Sequence, residues 1–308
     1  MNIVKELIIN NKVIEYTLEQ PRNSEEQYII YNNYNNRTII ANREVIDYLN
    51  ANNCIDSQSP LYNFIEGRKK INPLELHLIN ILVNTQYINR FQKFAKITTN
   101  NYIVILSILI TILAISMKID DIAQFKTVEI HTLPYLIVIM YFSQFCIVVL
   151  HEMSHYYYYN NYFNPKYIKF GITLRYFVMI LFFTSVPFID GMNKQAKKVL
   201  ITAGIKTQLT LQGVLSIFLV FSTDNIILLI FLLNMGIIII NTLPFFKLDG
   251  YWYLNSILNI KDYMQYYRKM ILLKEKFNYF IFFIGSTNIF LIISVIIYSV
   301  FNIYKLFT

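Results

Sequence analysis

Long apolar runs alternate along this chain with short charged breaks, and most of the breaks carry one sign. Tyr102–Met117, Leu133–Tyr158, Val199–Phe221, Ile226–Leu243 and Phe277–Phe301 are the apolar runs. A helix needs about 20 apolar residues to cross a bilayer. The runs therefore predict five membrane-spanning helices, the first extended by Thr99, Asn100 and Ile119. Lys93 and Lys96 precede the first run, Lys194, Lys197 and Lys198 the third, and Lys261, Arg268, Lys269, Lys274 and Lys276 the last, whereas Asp120 and Asp121 follow the first. Basic loops stay in the cytoplasm. One topology then places every Lys/Arg cluster on the inner side, with the N-terminus inside. Tyr156 to Tyr159 fall at the inner end of the second span, where an interfacial aromatic belt is expected.

Two further stretches are apolar but fit a spanning helix poorly. Gly171 and Arg175 interrupt Tyr167–Asp190, Pro187 and Asp190 close it, and its clean part, Tyr176–Val186, is too short to span. Its β-branched and aromatic residues predict a β-hairpin or re-entrant element beside the second span. Unpaired strand edges cannot face lipid. The hairpin must be sheltered by protein, or an extended substrate peptide must supply the missing strand. Earlier in the chain, Asn72-Pro73 opens a stretch reaching Lys96, with proline at its tolerated first-turn position. Leu78, Ile81, Leu82, Thr85 and Ile88 form an apolar stripe, and Arg90, Lys93 and Lys96 follow. This pattern predicts an amphipathic elbow helix on the membrane surface.

Residues 1–71 have no such runs and read as a small α+β cytoplasmic domain. Gln27–Asn32 and Arg37–Ala41 flank Asn33-Tyr34-Asn35-Asn36, a hairpin pattern. Asn42 is placed to cap a helix through Leu49, with Val45, Ile46 and Leu49 on one face. This strand-strand-helix order is similar to winged-helix modules that bind leader peptides; an unrelated cytoplasmic cap fits the pattern equally well. The expected organisation is thus mainly α and polytopic. It comprises the N-terminal domain (1–71), the elbow and first span (72–132), a membrane core (133–258), and a basic cytoplasmic segment with the last span (259–308).

Composition removes the other broad classes. Over 308 residues the chain is 55% hydrophobic, with mean hydropathy +0.41, which marks a membrane protein. The net charge of +8 clusters beside apolar segments, so it reads as a topology signal and not as a nucleic-acid surface. Met1–Glu6 carries no cleavable-signal pattern. Cys54 and Cys146 fall in a soluble and a membrane segment, so no disulfide is expected, and Cys146 reads as a packing residue turned away from the histidines that follow it.

The chemistry lies in His151-Glu152-Met153-Ser154-His155, at the end of the second span. Two histidines four apart on a helix differ by about 40° around its axis, so both imidazoles leave one face. That spacing suits two ligands of one zinc ion, with the intervening glutamate as general base. Ionisable side chains at membrane depth are costly and usually functional. A catalytic zinc needs a third protein ligand. His77 and His131 are poorly placed, one in the elbow or soluble region and one on the outer side. Asp249 is better placed, in Asn241-Thr242-Leu243-Pro244-Phe245-Phe246-Lys247-Leu248-Asp249-Gly250. That segment ends the fourth span, and two inward-running spans bring His151, His155 and Asp249 to similar depth. Pro244 and Gly250 break the helix and free backbone to line a cavity. Asn241 reads either as a contact to substrate backbone or oxyanion, or as a cap of the broken helix. Arg175 reads mainly as a snorkelling interfacial charge, or else as a partner for a substrate or lipid carboxylate.

Over roughly residues 133–258 the chain resembles the site-2 protease family of intramembrane zinc metalloproteases. His151, Glu152 and His155 match the metal motif of that family, Leu248-Asp249-Gly250 its ligand motif, and Asn241 and Pro244 the residues before it. Leu248-Asp249-Gly250-Tyr251-Trp252 is most similar to the bacterial peptide zinc metalloprotease branch, whose members often accompany genes for small-peptide production or export. The chain departs from the family at Phe246-Lys247, at Ile205 after Ala203-Gly204, and at Gln208, where proline, proline and asparagine are usual, and no PDZ-like insertion is evident. The resemblance implies zinc on His151, His155 and Asp249, with Glu152 as general base. It also implies a bacterial inner or plasma membrane location, a membrane-associated peptide or protein substrate, and a peptide exporter among the partners. Peptide maturation is the expected role. Cleavage of a membrane-anchored regulator, or a non-catalytic accessory or immunity role, are the alternatives.

Overall fold

The computed structural model describes residues 3–9, 12–19, 28–32, 37–51, 56, 58–59, 61–65, 75–123, 133–163, 165, 167–176, 179–186, 189, 192–222 and 225–307. Strands β1 (Ile3–Ile9), β2 (Lys12–Glu19), β3 (Tyr28–Asn32) and β4 (Arg37–Ala41) form an antiparallel meander in sequence order. Asn42 caps α1 (Arg43–Ala51) by accepting the Val45 N–H at 3.1 Å. Ile46 and Leu49 of α1 join Ile30, Ala41 and the Phe64 and Ile65 side chains of α2 (Tyr62–Ile65) in a small core. The hairpin and the helix expected here are present. Strands β1 and β2 are additional, and the Asn33–Asn36 turn lies outside the described residues, as do Cys54, Asn72, Pro73 and His131.

The expected helix from Asn72 is overturned. Glu75–Asn84 is a strand, β5, and the helical elbow begins only at Thr85. It comprises α3 (Thr85–Ile88), one 3-10 turn at Asn89–Phe91 and α4 (Gln92–Thr98). The physical reason is the demand of a neighbouring hairpin. Next in the chain come α5 (Asn101–Met117), α6 (Ile119–Ala123) and α7 (Leu133–Phe163), then β6 (Tyr167–Arg175) and β7 (Met179–Thr184). Paired alone, β6 would leave one edge of backbone groups unsatisfied, and β5 supplies that edge along nearly its whole length. Ile79, Ile81 and Val83 suit the pleat as well as they suit a helix face. The resulting sheet has the order β5-β6-β7. The hairpin itself is where the sequence pattern places it.

The remaining elements are α8 (Lys194–Phe221), α9 (Asn225–Thr242), α10 (Asp249–Leu258), α11 (Tyr263–Ile271) and α12 (Tyr279–Phe307). Four helices are long and apolar enough to cross a membrane. A fifth span results if the α3–α4 unit and α5, bent by 62° to each other, count as one. Asn100 makes that bend by capping α5 through the Tyr102 N–H at 2.9 Å.

Helix α8 is the axis of the bundle and touches α5, α7, α9 and α10. Its buried face is made of small and polar residues, among them Ala203, Gly204, Thr207, Gln208, Gln212, Gly213 and Ser216. Between helices in lipid the hydrophobic drive is absent, so close approach and hydrogen bonds take over. Thr207 meets Thr98 of α4 at 3.0 Å, Ser216 donates to Thr111 of α5 at 3.0 Å, and Asn234 of α9 donates to Gln212 at 2.6 Å. The outward faces carry exposed Ile105, Leu109, Ile112 and Phe218, an apolar surface compatible with a membrane environment. Cys146 also faces outward and is exposed, so it is not the packing residue its position suggests. Tyr156 and Tyr159 are buried with Phe163, Ile88 and Ile29 of β3. The expected aromatic belt is therefore partly a docking core, on which the N-terminal sheet sits.

Gly213 lies where a β-carbon would overlap Ser107 of α5, whereas Gly236 of α9 has open space around it. Gly213→Val should destabilise the detergent-solubilised protein by about 1–3 kcal/mol in denaturant unfolding. Gly236→Ala should be neutral or stabilising by up to about 1 kcal/mol. Equal effects of the two would contradict the α5–α8 packing.

Candidate metal centre

The site forms where α7, α8 and the α9–α10 junction meet. His151 and His155 point from one face of α7 and are buried. Asp249 is the first residue of α10, where a helix N-terminus favours a carboxylate. His155 Nε2 lies 3.1 Å from His151 Nε2, and Asp249 Oδ2 lies 3.2 Å from the first histidine and 3.3 Å from the second. The three donor atoms thus make a nearly equilateral triangle. Among the described residues this is the group of His, Cys, Asp and Glu side chains able to hold a metal ion. His77 stands apart from it, in edge contact with Phe183.

The arrangement is built for positive charge at its centre. His155 Nδ1 is 2.8 Å from the Leu200 carbonyl of α8. That contact places a proton on Nδ1 and leaves the Nε2 lone pair facing the triangle. Asp249 Oδ2 is buried and faces the two histidine Nε2 atoms, with no other hydrogen-bond partner among the described residues. Three lone-pair atoms therefore converge. A proton can bridge one edge of such a triangle, whereas a divalent cation satisfies all three atoms. Burial pushes the Asp249 carboxyl up, whereas positive charge on the neighbouring imidazoles would outweigh it and hold the group well below the usual carboxylate range, so the carboxylate form is coupled to positive charge at this centre.

Neighbouring residues fix these positions in ways that neither motif announces. A β-carbon at Gly204 would overlap the His151 ring, so α8 presents its bare backbone to that imidazole. Ser154 shares a hydrogen bond with Thr207 and donates to the Leu150 carbonyl at 3.0 Å, locking the turn of α7 between the two histidines. A β-carbon at Gly250 would run into the Thr242 and Leu243 carbonyls. Glycine there lets α10 cross the end of α9 closely enough for Asp249 to reach the histidines. The connecting loop is strained: Phe246 and Lys247 both have positive φ, 59° and 56°. Arg175 holds it, donating through Nη1 to the Phe246 and Lys247 carbonyls at 3.2 and 2.8 Å. Arg175 is therefore a loop clamp, which corrects its reading as a snorkelling charge. Tyr263 adds a second tie, donating to the Pro244 carbonyl at 2.7 Å while accepting from Asn288 of α12. The single-sequence signal for these ties is weak, since an arginine in a hairpin and a tyrosine in a basic helix have many uses.

A cavity of about 660 Å³ opens beside the triangle. Glu152 and Asn241 line it together with both histidines and Asp249. Glu152 is half-buried, and its backbone carbonyl accepts Thr184 Oγ1 of β7 at 3.2 Å. Asn241 donates to the Gln208 side chain at 3.0 Å. It is thus tied to α8 and at the same time faces the cavity. Ile180 to Thr184, most of the edge strand β7, form one wall, and Val148, Ile237, Ile240 and Trp252 contribute apolar surface.

Compared with known proteins, the chain matches no family model, no curated protein and no solved structure. The functional reading therefore stands on this geometry and on the motifs.

Purified protein should bind one divalent cation per chain, read by elemental analysis after dialysis. Asp249→Ala should abolish binding. Gly204→Ala, which pushes on the His151 ring, should weaken it by about 10–100-fold, the usual range for disturbing a ligand's support.

Proposed function

We propose that the protein is a zinc-dependent intramembrane endopeptidase of the site-2 protease type, acting on a membrane-associated peptide near the cytoplasmic face of a bacterial inner or plasma membrane. The observation that carries this reading is the 3.1–3.3 Å triangle of His151, His155 and Asp249 with Glu152 on the same cavity wall. Three donors placed about 2.0–2.1 Å from a tetrahedral zinc stand roughly 3.3 Å apart, so the spacing is compatible with zinc. Two imidazoles and one carboxylate, with a fourth position toward the cavity, are a catalytic ligand set rather than a closed structural one. Bound there, zinc would supply Lewis-acid polarisation of a carbonyl and a water acidic enough to react at neutral pH.

The chain's own groups supply the rest. Glu152 takes the proton of the attacking water and returns it to the leaving amine. Asn241, held by Gln208, is placed to hydrogen-bond substrate backbone. A helical substrate hides its peptide bonds, so it must be extended before cleavage. The outer edge of β7 lies along the cavity, while β6 already pairs on both sides. An extended peptide added to β7 would run past the metal donors with its backbone satisfied. Arg175 ties the turn of this hairpin to the loop before Asp249, which keeps the receiving strand and the third ligand in one register.

The positive-inside reading of the Lys/Arg clusters supports a cytoplasmic position for Arg175, Lys197, Lys247 and Lys261 and for the N-terminal sheet. Maturation or export of a small peptide suits the resemblance to the peptide zinc metalloprotease branch.

The test is the Glu152→Gln variant expressed beside candidate peptides. Peptide processing should fall by at least about 100-fold, while metal content and thermal stability stay at the wild-type level. Processing that is unchanged in the variant would remove Glu152 from the chemistry and with it the hydrolase reading.

A further inference from the structure

Beyond the metal donors, the cavity carries polar groups that hydrolysis does not use. Asn255 is 3% exposed and Ser256 8%, and both line the cavity. The Asn255 side-chain carbonyl accepts the backbone N–H of Tyr263 at 2.9 Å. That bond fixes the orientation of the amide, because only its oxygen can accept. The Nδ2 group then stands buried with no hydrogen-bond partner, and so does Ser256 Oγ. Unsatisfied buried donors are costly in folding, and an acceptor entering from the cavity, a water or a ligand oxygen, would satisfy both.

Positive charge is placed beside them. Asn259 has φ 61° and turns the chain back at the end of α10, and the Ile260 N–H donates to the Asn255 carbonyl at 3.1 Å. Lys261 follows this return, lines the same cavity and is exposed. Lys247 lines the cavity as well, 3.5 Å from Asp262. Lys247 thus already faces a carboxylate, and the group left for a ligand consists of one amide NH2, one hydroxyl and the Lys261 ammonium. A carboxylate, which only accepts, is its complement. Asp249 and Ser256 share one face of α10 by their i, i+7 spacing, and Asn255, about 100° from Ser256 around the axis, lines the same cavity.

We infer that this end of the cavity is a carboxylate subsite in which Asn255, Ser256 and Lys261 hold an acidic group of the substrate peptide. The inference rests on the proposed peptidase and names its substrate class: an extended peptide with apolar residues at the scissile bond and a carboxylate on the lysine-rich side. Ser256 is seven residues beyond Asp249, or about 10 Å along the helix axis. An extended strand covers that distance in about three residues. The carboxylate therefore lies about three residues from the bond cut. It comes either from an Asp or Glu side chain or from a free C-terminus.

The experiment measures binding of short dye-labelled peptides to the full chain in phosphatidylcholine nanodiscs. The Glu152→Gln background keeps bound peptide intact. Three peptides share one apolar sequence: the first has an aspartate near an amidated C-terminus, the second an asparagine there, and the third the asparagine with a free C-terminus. The aspartate peptide should bind about tenfold more tightly than its asparagine twin, the scale of one charge-assisted contact. If the third peptide gains that advantage and the first does not, the carboxylate is the substrate's terminus. Asn255→Asp keeps the acceptor for Tyr263 but replaces the donor with an anionic oxygen, so it should abolish the preference. Lys261→Glu should shift it toward a lysine-bearing peptide. Equal binding of all three peptides, or an acid preference that survives Asn255→Asp, overturns the subsite. Glu152-dependent cleavage without acid preference would remove the subsite and leave the peptidase. Acid-selective binding without Glu152-dependent cleavage would do the reverse.

Discussion

The structure is organised around the cost of converging three lone pairs in a buried place. His151, His155 and Asp249 bring two nitrogens and one oxygen within 3.3 Å of one another, an arrangement that repels unless positive charge sits among them. Much of the surrounding bundle holds that arrangement. Helix α8 fixes one imidazole through the Leu200 carbonyl and makes room for the other at Gly204. Gly250 allows α10 to cross α9, and Arg175 and Tyr263 hold the strained loop that delivers Asp249. No one of these contacts is strong. Together they leave the donors little freedom to part.

The same contacts couple the site to the element proposed to receive substrate. Arg175 ends β6, next to the turn that leads into β7, and Thr184 ends β7 with a hydrogen bond to the Glu152 carbonyl. The edge strand is thus tied at one end to the third ligand's loop and at the other to the α7 turn that carries the glutamate. A peptide paired with β7 would be registered against both the metal donors and the base. Strand β5 pairs the other side of β6, so the two outer edges of the sheet belong to β5 and β7, and β7 is the one on the cavity wall.

How much of this the sequence disclosed follows from the range of each interaction. The ligand motifs are local: four residues of helix bring His151 and His155 to one face, and a broken helix before Asp249 is visible in Pro244 and Gly250. The spans are equally legible, because apolar length is the whole requirement. The residues Glu75–Asn84 were not. Their apolar spacing serves a helix face and a strand pleat alike, and the choice is made by β6, some ninety positions downstream, which needs a partner for its edge. Arg175 failed for the same reason. Its carbonyl acceptors lie at Phe246 and Lys247, beyond two intervening helices. Asn255 and Ser256 carry no motif at all, and only burial beside the cavity singles them out.

X-ray absorption at the zinc edge of the purified protein tests the central claim most directly. The account requires zinc bound by two imidazole nitrogens and light oxygen donors at about 2.0–2.1 Å in a four-coordinate shell. In His155→Ala the imidazole signature should fall from two ligands to the one supplied by His151, or zinc should be lost altogether. A six-coordinate shell of oxygens alone, or a spectrum unchanged by replacing His155, would contradict it.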